Sequence, residues 1–191
     1  METLRVKSLF EVITEKHPYS NSLNEKILED ADRFGYPQSY KTKVQARMTH
    51  WNVKSDSVKI IQKWIYNLLL IKHPVLSDHN RGKLVFADTW IARYKKGDHT
   101  TQHNHTPAVF SFVYFVKCPP GSTPLLFTGS TFQQMKAEEG KVVIFPGCMY
   151  HYVPKNKSDD RVVMSGNLQF LHSGGISELL GSVNQENKPQ E

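Results

Sequence analysis

Residues 161–170, Arg161-Val162-Val163-Met164-Ser165-Gly166-Asn167-Leu168-Gln169-Phe170, change character at almost every step. The odd positions Arg161, Val163, Ser165, Asn167 and Gln169 are mostly polar, whereas the even positions Val162, Met164, Gly166, Leu168 and Phe170 are apolar. Successive side chains of a strand point to opposite faces, so the alternation predicts a β-strand with one face of each kind. Similar short runs bounded by turn residues fill the chain after Gly82: LVFADTWIARY, AVFSFVYFV, PLLFTG, KVVIF and HYVP. Spaced strands of this kind predict a sandwich or barrel.

Upstream of them the apolar period changes from two to that of a helix. Val58, Ile61, Ile65, Leu68 and Leu69 form one stripe, Ser55 or Ser57 can cap its start, and Pro74 stops it. An earlier stripe, Leu23, Ile27, Ala31 and Phe34, follows Ser22-Leu-Asn-Glu25, which has the form of a capping box. The fold class expected is therefore mainly β with N-terminal helices, the core being a double-stranded β-helix, or jelly roll. One domain is expected over residues 1–172, with helices within 20–73, the β core over 83–172 and a polar tail over 173–191.

Composition agrees with a packed domain: the chain has 191 residues, of which 39% are apolar, with ten Phe, eight Tyr and three Trp. The net charge of +6 is spread in pairs such as Lys95-Lys96, the pattern of a solvated cationic surface, and nucleic-acid binding is not indicated. Cys118 and Cys148 have no zinc or disulfide spacing, and no apolar run has the length of a signal core or a membrane span. A cytoplasmic protein with no membrane partner is the simplest expectation.

Histidines carry the chemistry. Gly97-Asp-His-Thr-Thr-Gln-His-Asn-His105 places three of the nine histidines within seven residues. On a strand His103 and His105 would share a face, and neutral imidazole suits iron, zinc, copper or nickel. A third ligand is needed, and the strand Gly140–Phe145 leads through Pro146-Gly147 to His151 at the start of the next strand. The polar segment 154–160 between His151 and Arg161 predicts a hairpin that sets these two residues opposite each other on one sheet. Arg161 with Ser165 and Asn167 then offers a charged fork and hydrogen-bonding groups for a carboxylate. The same face also reads as a solvent-facing surface.

These residues together resemble the Fe(II)- and 2-oxoglutarate-dependent oxygenases, in particular a small prolyl-hydroxylase-like subfamily of bacterial and phage proteins. The likeness runs from about Trp90 to Asn167 and rests on Tyr94-x-x-Gly97, His103-x-His105, Tyr114, Gly140, Phe145-Pro146, His151, and Arg161 ten residues later. It implies a dioxygenase in which His103, His105 and His151 hold Fe(II). Arg161 would bind the far carboxylate of 2-oxoglutarate, with Tyr94, Tyr114, Ser165 and Asn167 beside that co-substrate. Molecular oxygen would be consumed, a C–H bond of an unidentified substrate hydroxylated, and succinate and CO2 released. A homodimer through the helical flank is compatible with it.

The sequence departs from the family pattern at His105, where HxD is usual; Asp98 or His99 are the other candidates for that ligand position. Two further readings stay open. The spacings Gly97-x5-His103-x-His105 and Gly140-x5-Pro146 with His151 also fit a cupin, another metal-binding jelly roll, but no glutamate follows HxH. A non-catalytic jelly-roll binding module would pair Arg161 with Asp159 or Asp160. Trp51 and Trp90 read as packing or cavity-wall aromatics, Cys148 as a small buried filler, and His50, His73, His79 and His172 as isolated structural or exposed residues.

Overall fold

The structure is a computed structural model and describes residues 11–77, 83–129 and 133–171. The expected tail over 173–191, and His79 and His172, lie outside these residues. In chain order the elements are β1 (Ile13–Lys16), α1 (Ser20–Phe34), β2 (Val44–Gln45), β3 (Arg47–Met48) and α2 (Asp56–Lys72). A 3-10 turn (Pro74–Ser77) leads to β4 (Lys83–Tyr94), β5 (His99–His103), β6 (Phe110–Lys117) and β7 (Leu125–Phe127). The last are β8 (Gln133–Met135), β9 (Lys141–Pro146), β10 (His151–Val153) and β11 (Arg161–Leu171).

Two antiparallel sheets result, a six-stranded one in the order β1-β9-β6-β11-β4-β3 and a five-stranded one in the order β2-β5-β10-β7-β8. From β4 to β7 each strand crosses to the other sheet, and β9, β10 and β11 do so again. This is the jelly-roll winding. Segment 154–160 is therefore a crossover and not the turn of a hairpin: β10 and β11 belong to different sheets, and β11 pairs with β4 and β6. The long ladder from Lys83 to Leu171 fixes β11 in the larger sheet and leaves the short β10 to pair with β5 and β7.

The alternation read along β11 holds, but neither face is solvent from Arg161 to Leu168. Val162, Met164 and Leu168 pack outward on the helices, together with Phe110, Phe112, Tyr114 and Ile144. Val163 packs inward, in a second core between the sheets with Trp90, Tyr94, Phe115, Phe127 and Phe145. Helix α2 supplies Ile61, Ile65 and Leu69 to the outer core, all fully buried. Each such side chain contributes roughly 1.5–3 kcal/mol of transfer free energy. Its start is capped by Ser55, whose side chain accepts from the Val58 N–H, and its end precedes Pro74.

Helix α1 starts at Ser20, two residues before the expected capping box, and no side chain caps it. The start is set from outside the helix. The His17 N–H donates to Gly140 O at 2.9 Å, and the Tyr19 N–H to His17 Nδ1 at 3.2 Å, so β1 hands the chain into the helix early. Asn24 then docks α1, donating to Val116 O at 2.8 Å and accepting from the Tyr114 hydroxyl at 2.7 Å. The region expected to be helical over 20–73 also holds β2 and β3, whose two-residue length leaves no period to read. No helix among the described residues is long and apolar enough to cross a membrane.

Gly140 has φ +80°, and a Cβ there would lie 2.3 Å from Ser20 Cβ. Gly140→Ala is expected to destabilise the protein by roughly 2–3 kcal/mol through left-handed strain and collision with α1, measured as a lower midpoint in denaturant unfolding.

Candidate metal centre

Three imidazoles meet between the sheets. His103 ends β5, His151 begins β10, and the two are cross-strand partners. Their ring centroids are 4.4 Å apart, with His105 at 4.8 Å from His103 and 5.0 Å from His151. One nitrogen of each ring lies within 4.8 Å of the others, and no Asp, Glu or Cys among the described residues joins them. His105 lies past the end of β5, so the strand alternation expected to align it with His103 does not apply there. It is placed by its backbone, which donates to Gly147 O at 2.7 Å and accepts from the Ala108 N–H at 2.8 Å.

Outer contacts fix the rings. His103 Nδ1 is 2.8 Å from Thr101 O and His151 Nδ1 is 3.0 Å from Met149 O, which assigns the proton to Nδ1 and leaves Nε2 as the free lone pair. Trp90 lies 6.2 Å from His105, and Phe145 lies 4.8 Å from His151. Burial, then the neighbouring His151 and His103, pushes the His105 pKa down to about 3; burial, then His103, lowers His151 to about 4. Burial, then Lys43, also lowers His103, against the hydrogen bond to Thr101. The cluster is thus neutral at neutral pH, the form that ligates metal. Three convergent neutral imidazoles, two of them with Nε2 left free by their Nδ1 contacts, fit a divalent transition metal.

Arg161, the first residue of β11, faces the same cavity from the opposite sheet. Of the sequence-derived candidates, His103, His105, His151, Arg161, Tyr94 and Ser165 all line this cavity, as does Trp90. The Arg161 guanidinium is 1% exposed and lies 4.7 Å over the Tyr94 ring and 5.5 Å from that of Phe115. The Tyr94 hydroxyl accepts from the guanidinium, while its Nε and Nη1 have no hydrogen-bond partner among the described residues. Neither nearby aspartate neutralises it: Asp160 pairs with Arg93 and Lys117, and Asp159 accepts from the Lys96 N–H. The ion pair that a binding module would use is absent among the described residues, and no carboxylate lines the cavity.

Two expected co-substrate contacts lie elsewhere. Tyr114 has the parity of the outer face and donates its hydroxyl to Asn24, on the helix side of the larger sheet. Asn167 accepts from Ser111 Oγ at 2.7 Å and donates to Asp88 Oδ2 at 3.0 Å, which uses its amide outside the cavity. Asp98 is held in a turn by the Lys95 N–H at 2.8 Å, and His99 stands outside the cluster, so neither replaces His105. Cys148 is exposed, not a buried filler. His50 is exposed and His73 is stacked on Phe110 at 5.7 Å.

Sequence reasoning missed Thr100, Val44, Leu125, Val153 and Val163 as cavity wall. Thr100 accepts or donates a 2.8 Å bond with the Tyr94 hydroxyl. By alternation Thr100 and His103 fall on opposite faces of β5. A register shift, with His151 opposite His103 and Val153 opposite Thr100, turns both inward.

No family model matches the sequence, and no curated protein matches it. Among solved structures, a viral collagen prolyl hydroxylase from Paramecium bursaria Chlorella virus-1, in complex with 2OG, superposes with TM-score 0.68 and 16% identity over 84% of this chain and 96% of that one. A prolyl-4-hydroxylase from Pseudomonas putida gives TM-score 0.64 and 11% identity over 85% and 94%. A prolyl hydroxylase from Trichoplax adhaerens, with a hypoxia inducible factor oxygen degradation domain peptide fragment, gives 0.61 and 9% over 82% and 82%. The likeness at these identities is one of fold.

Because the folded imidazoles resist protonation, the unfolded chain takes up more protons as pH falls below about 6.5, the ordinary histidine value. Stability is therefore full above that pH and is lost progressively toward pH 4. Thermal unfolding of the metal-free protein at pH 7 and pH 4.5 is expected to show a drop that His105→Asn reduces by on the order of 1 kcal/mol.

Proposed function

We propose that the protein is an Fe(II)- and 2-oxoglutarate-dependent oxygenase that hydroxylates a C–H bond of its substrate. The observation that carries this reading is a fully buried guanidinium with unmatched N–H groups in the same acid-free cavity as three neutral imidazoles. A buried charge costs several kcal/mol unless a partner neutralises it. The cavity therefore calls for an anion that engages Arg161, and a keto acid with a second carboxylate does so while its other end ligates a metal. A cupin has no need of this arginine.

On this reading His103, His105 and His151 would hold the iron, His103 and His151 through Nε2, with Thr101 O and Met149 O keeping the Nδ1 protons of those two in place. Arg161 binds the far carboxylate of 2-oxoglutarate, and Ser165, on the same inner face, adds a hydroxyl. Tyr94 lies beneath the guanidinium and is itself held by Thr100. The walls Val44, Leu125, Val153 and Val163 exclude water and strengthen each of these charge interactions. When bound, ferrous iron supplies oxygen activation coupled to decarboxylation of the keto acid, with succinate and CO2 as co-products. A reducing, cytoplasmic setting suits both the ferrous ion and the free thiols of Cys118 and Cys148. The support from solved structures is the shared fold, and the primary substrate is not assigned.

Anaerobic titration with Fe(II) and then 2-oxoglutarate is expected to give one site for each, with succinate appearing once air is admitted. Arg161→Ala is expected to keep the metal and to weaken the keto acid by about a hundredfold, the ~3 kcal/mol of a charge-assisted pair. His151→Ala is expected to lose the metal. Wild-type protein that binds neither ligand, or Arg161→Ala that binds the keto acid as before, contradicts the proposal.

A further inference from the structure

The donor set is unusual in its charge. The three residues placed to hold a metal are all imidazoles, and Asp98, just before β5, and Asp88, on β4, are committed elsewhere. Asp98 is bonded to the Lys95 N–H, and Asp88 to Asn167. The other ionic group of the cavity is Arg161, itself a cation without an acid partner. A metal ion here keeps its whole formal charge, in a buried setting where charges act more strongly than in water and with a second buried cation in the same cavity.

We infer that His105 makes the centre selective for oxidation state, holding ferrous iron and rejecting ferric iron. This rests on the iron reading given above. Removing one electron from the bound ion adds a unit of positive charge to a site with no anionic protein ligand among the described residues to offset it, in a cavity that Arg161 also lines. A carboxylate at position 105 would supply the offset, and would do so more for Fe(III) than for Fe(II). A neutral oxygen donor would not. The consequence is that the resting protein resists one-electron oxidation of its metal to the ferric form.

The test is a mediated potentiometric titration of the anaerobically iron-loaded protein, with ferricyanide as oxidant accepting one electron per iron and the ferric ion followed by electron paramagnetic resonance. Wild type is compared with His105→Asp, His105→Glu and His105→Gln, and thermal unfolding of each variant establishes that it is folded. The two acidic variants are expected to raise the ferric-to-ferrous affinity ratio at least a hundredfold over wild type. That is a midpoint lower by about 120 mV, two decades at ~59 mV each for one electron. His105→Gln is expected to stay within about tenfold of wild type.

The inference is overturned if the acidic variants match wild type within threefold, or if His105→Gln shifts as far as His105→Asp. It is also overturned if both acidic variants fold and bind no iron, since His105 would then not occupy a ligand position that a carboxylate can take. If wild type binds Fe(II) and the acidic variants show no such shift, the oxygenase reading stands and the inference falls, whereas a wild type that binds no iron at pH 7 removes both.

Discussion

A cation has been carried into the interior of this protein without an acid to meet it. The Arg161 guanidinium is 1% exposed, it is stacked on Tyr94 and Phe115, and two of its nitrogens have no partner. The aromatic faces offset part of the lost hydration and the Tyr94 hydroxyl accepts from the guanidinium, but Nε and Nη1 are left without an acceptor among the described residues. An unmatched buried charge is tolerated only where the surrounding fold enforces it, and here two packed cores do so. Val162, Met164 and Leu168 anchor the back of β11 to the helices, while Val163 anchors its front between the sheets.

The site is a product of the winding. Arg161 and Ser165 come from the larger sheet, and His103 and His151 come from the smaller one. His105 hangs from the loop beyond β5, tied to Gly147. The cavity therefore exists only while the two sheets face each other, and Trp90, Tyr94, Phe127 and Phe145 between them set that spacing. Helix α2 contributes no side chain to the cavity. Its role is to cover the back of the larger sheet, which would otherwise expose Phe110, Phe112 and Ile144 to water.

Much of this was legible in the sequence where a period or a fixed spacing carried it. The alternation along 161–170 identified the strand and its inner face, and the α2 stripe, the Ser55 cap and the Pro74 stop placed that helix. Proximity of His151 and Arg161 was also foreseen, but for the wrong reason. A polar seven-residue segment reads the same whether it turns a hairpin or crosses between sheets, and only the competition for partners decides. The long β4–β11 ladder takes Arg161, and short β10 falls to β5 and β7. Tyr114 was misassigned because a motif gives a position and not a face; its parity with Phe112 and Phe110 sends it to the helices. Asn167 was lost to Asp88, a partner contributed by β4 at a bulge. The α1 start lay beyond local signals, since Gly140, more than a hundred residues away, sets it.

Metal and arginine serve one cavity, and diffraction at the iron absorption edge tests that directly. Crystals grown anaerobically with Fe(II) and 2-oxoglutarate should show a single anomalous peak at bonding distance, ~2.1 Å, from Nε2 of His103, His105 and His151, with the keto acid reaching from that ion to the Arg161 guanidinium. An anomalous peak outside the three imidazoles, or a bound keto acid that leaves Arg161 unengaged, would contradict it.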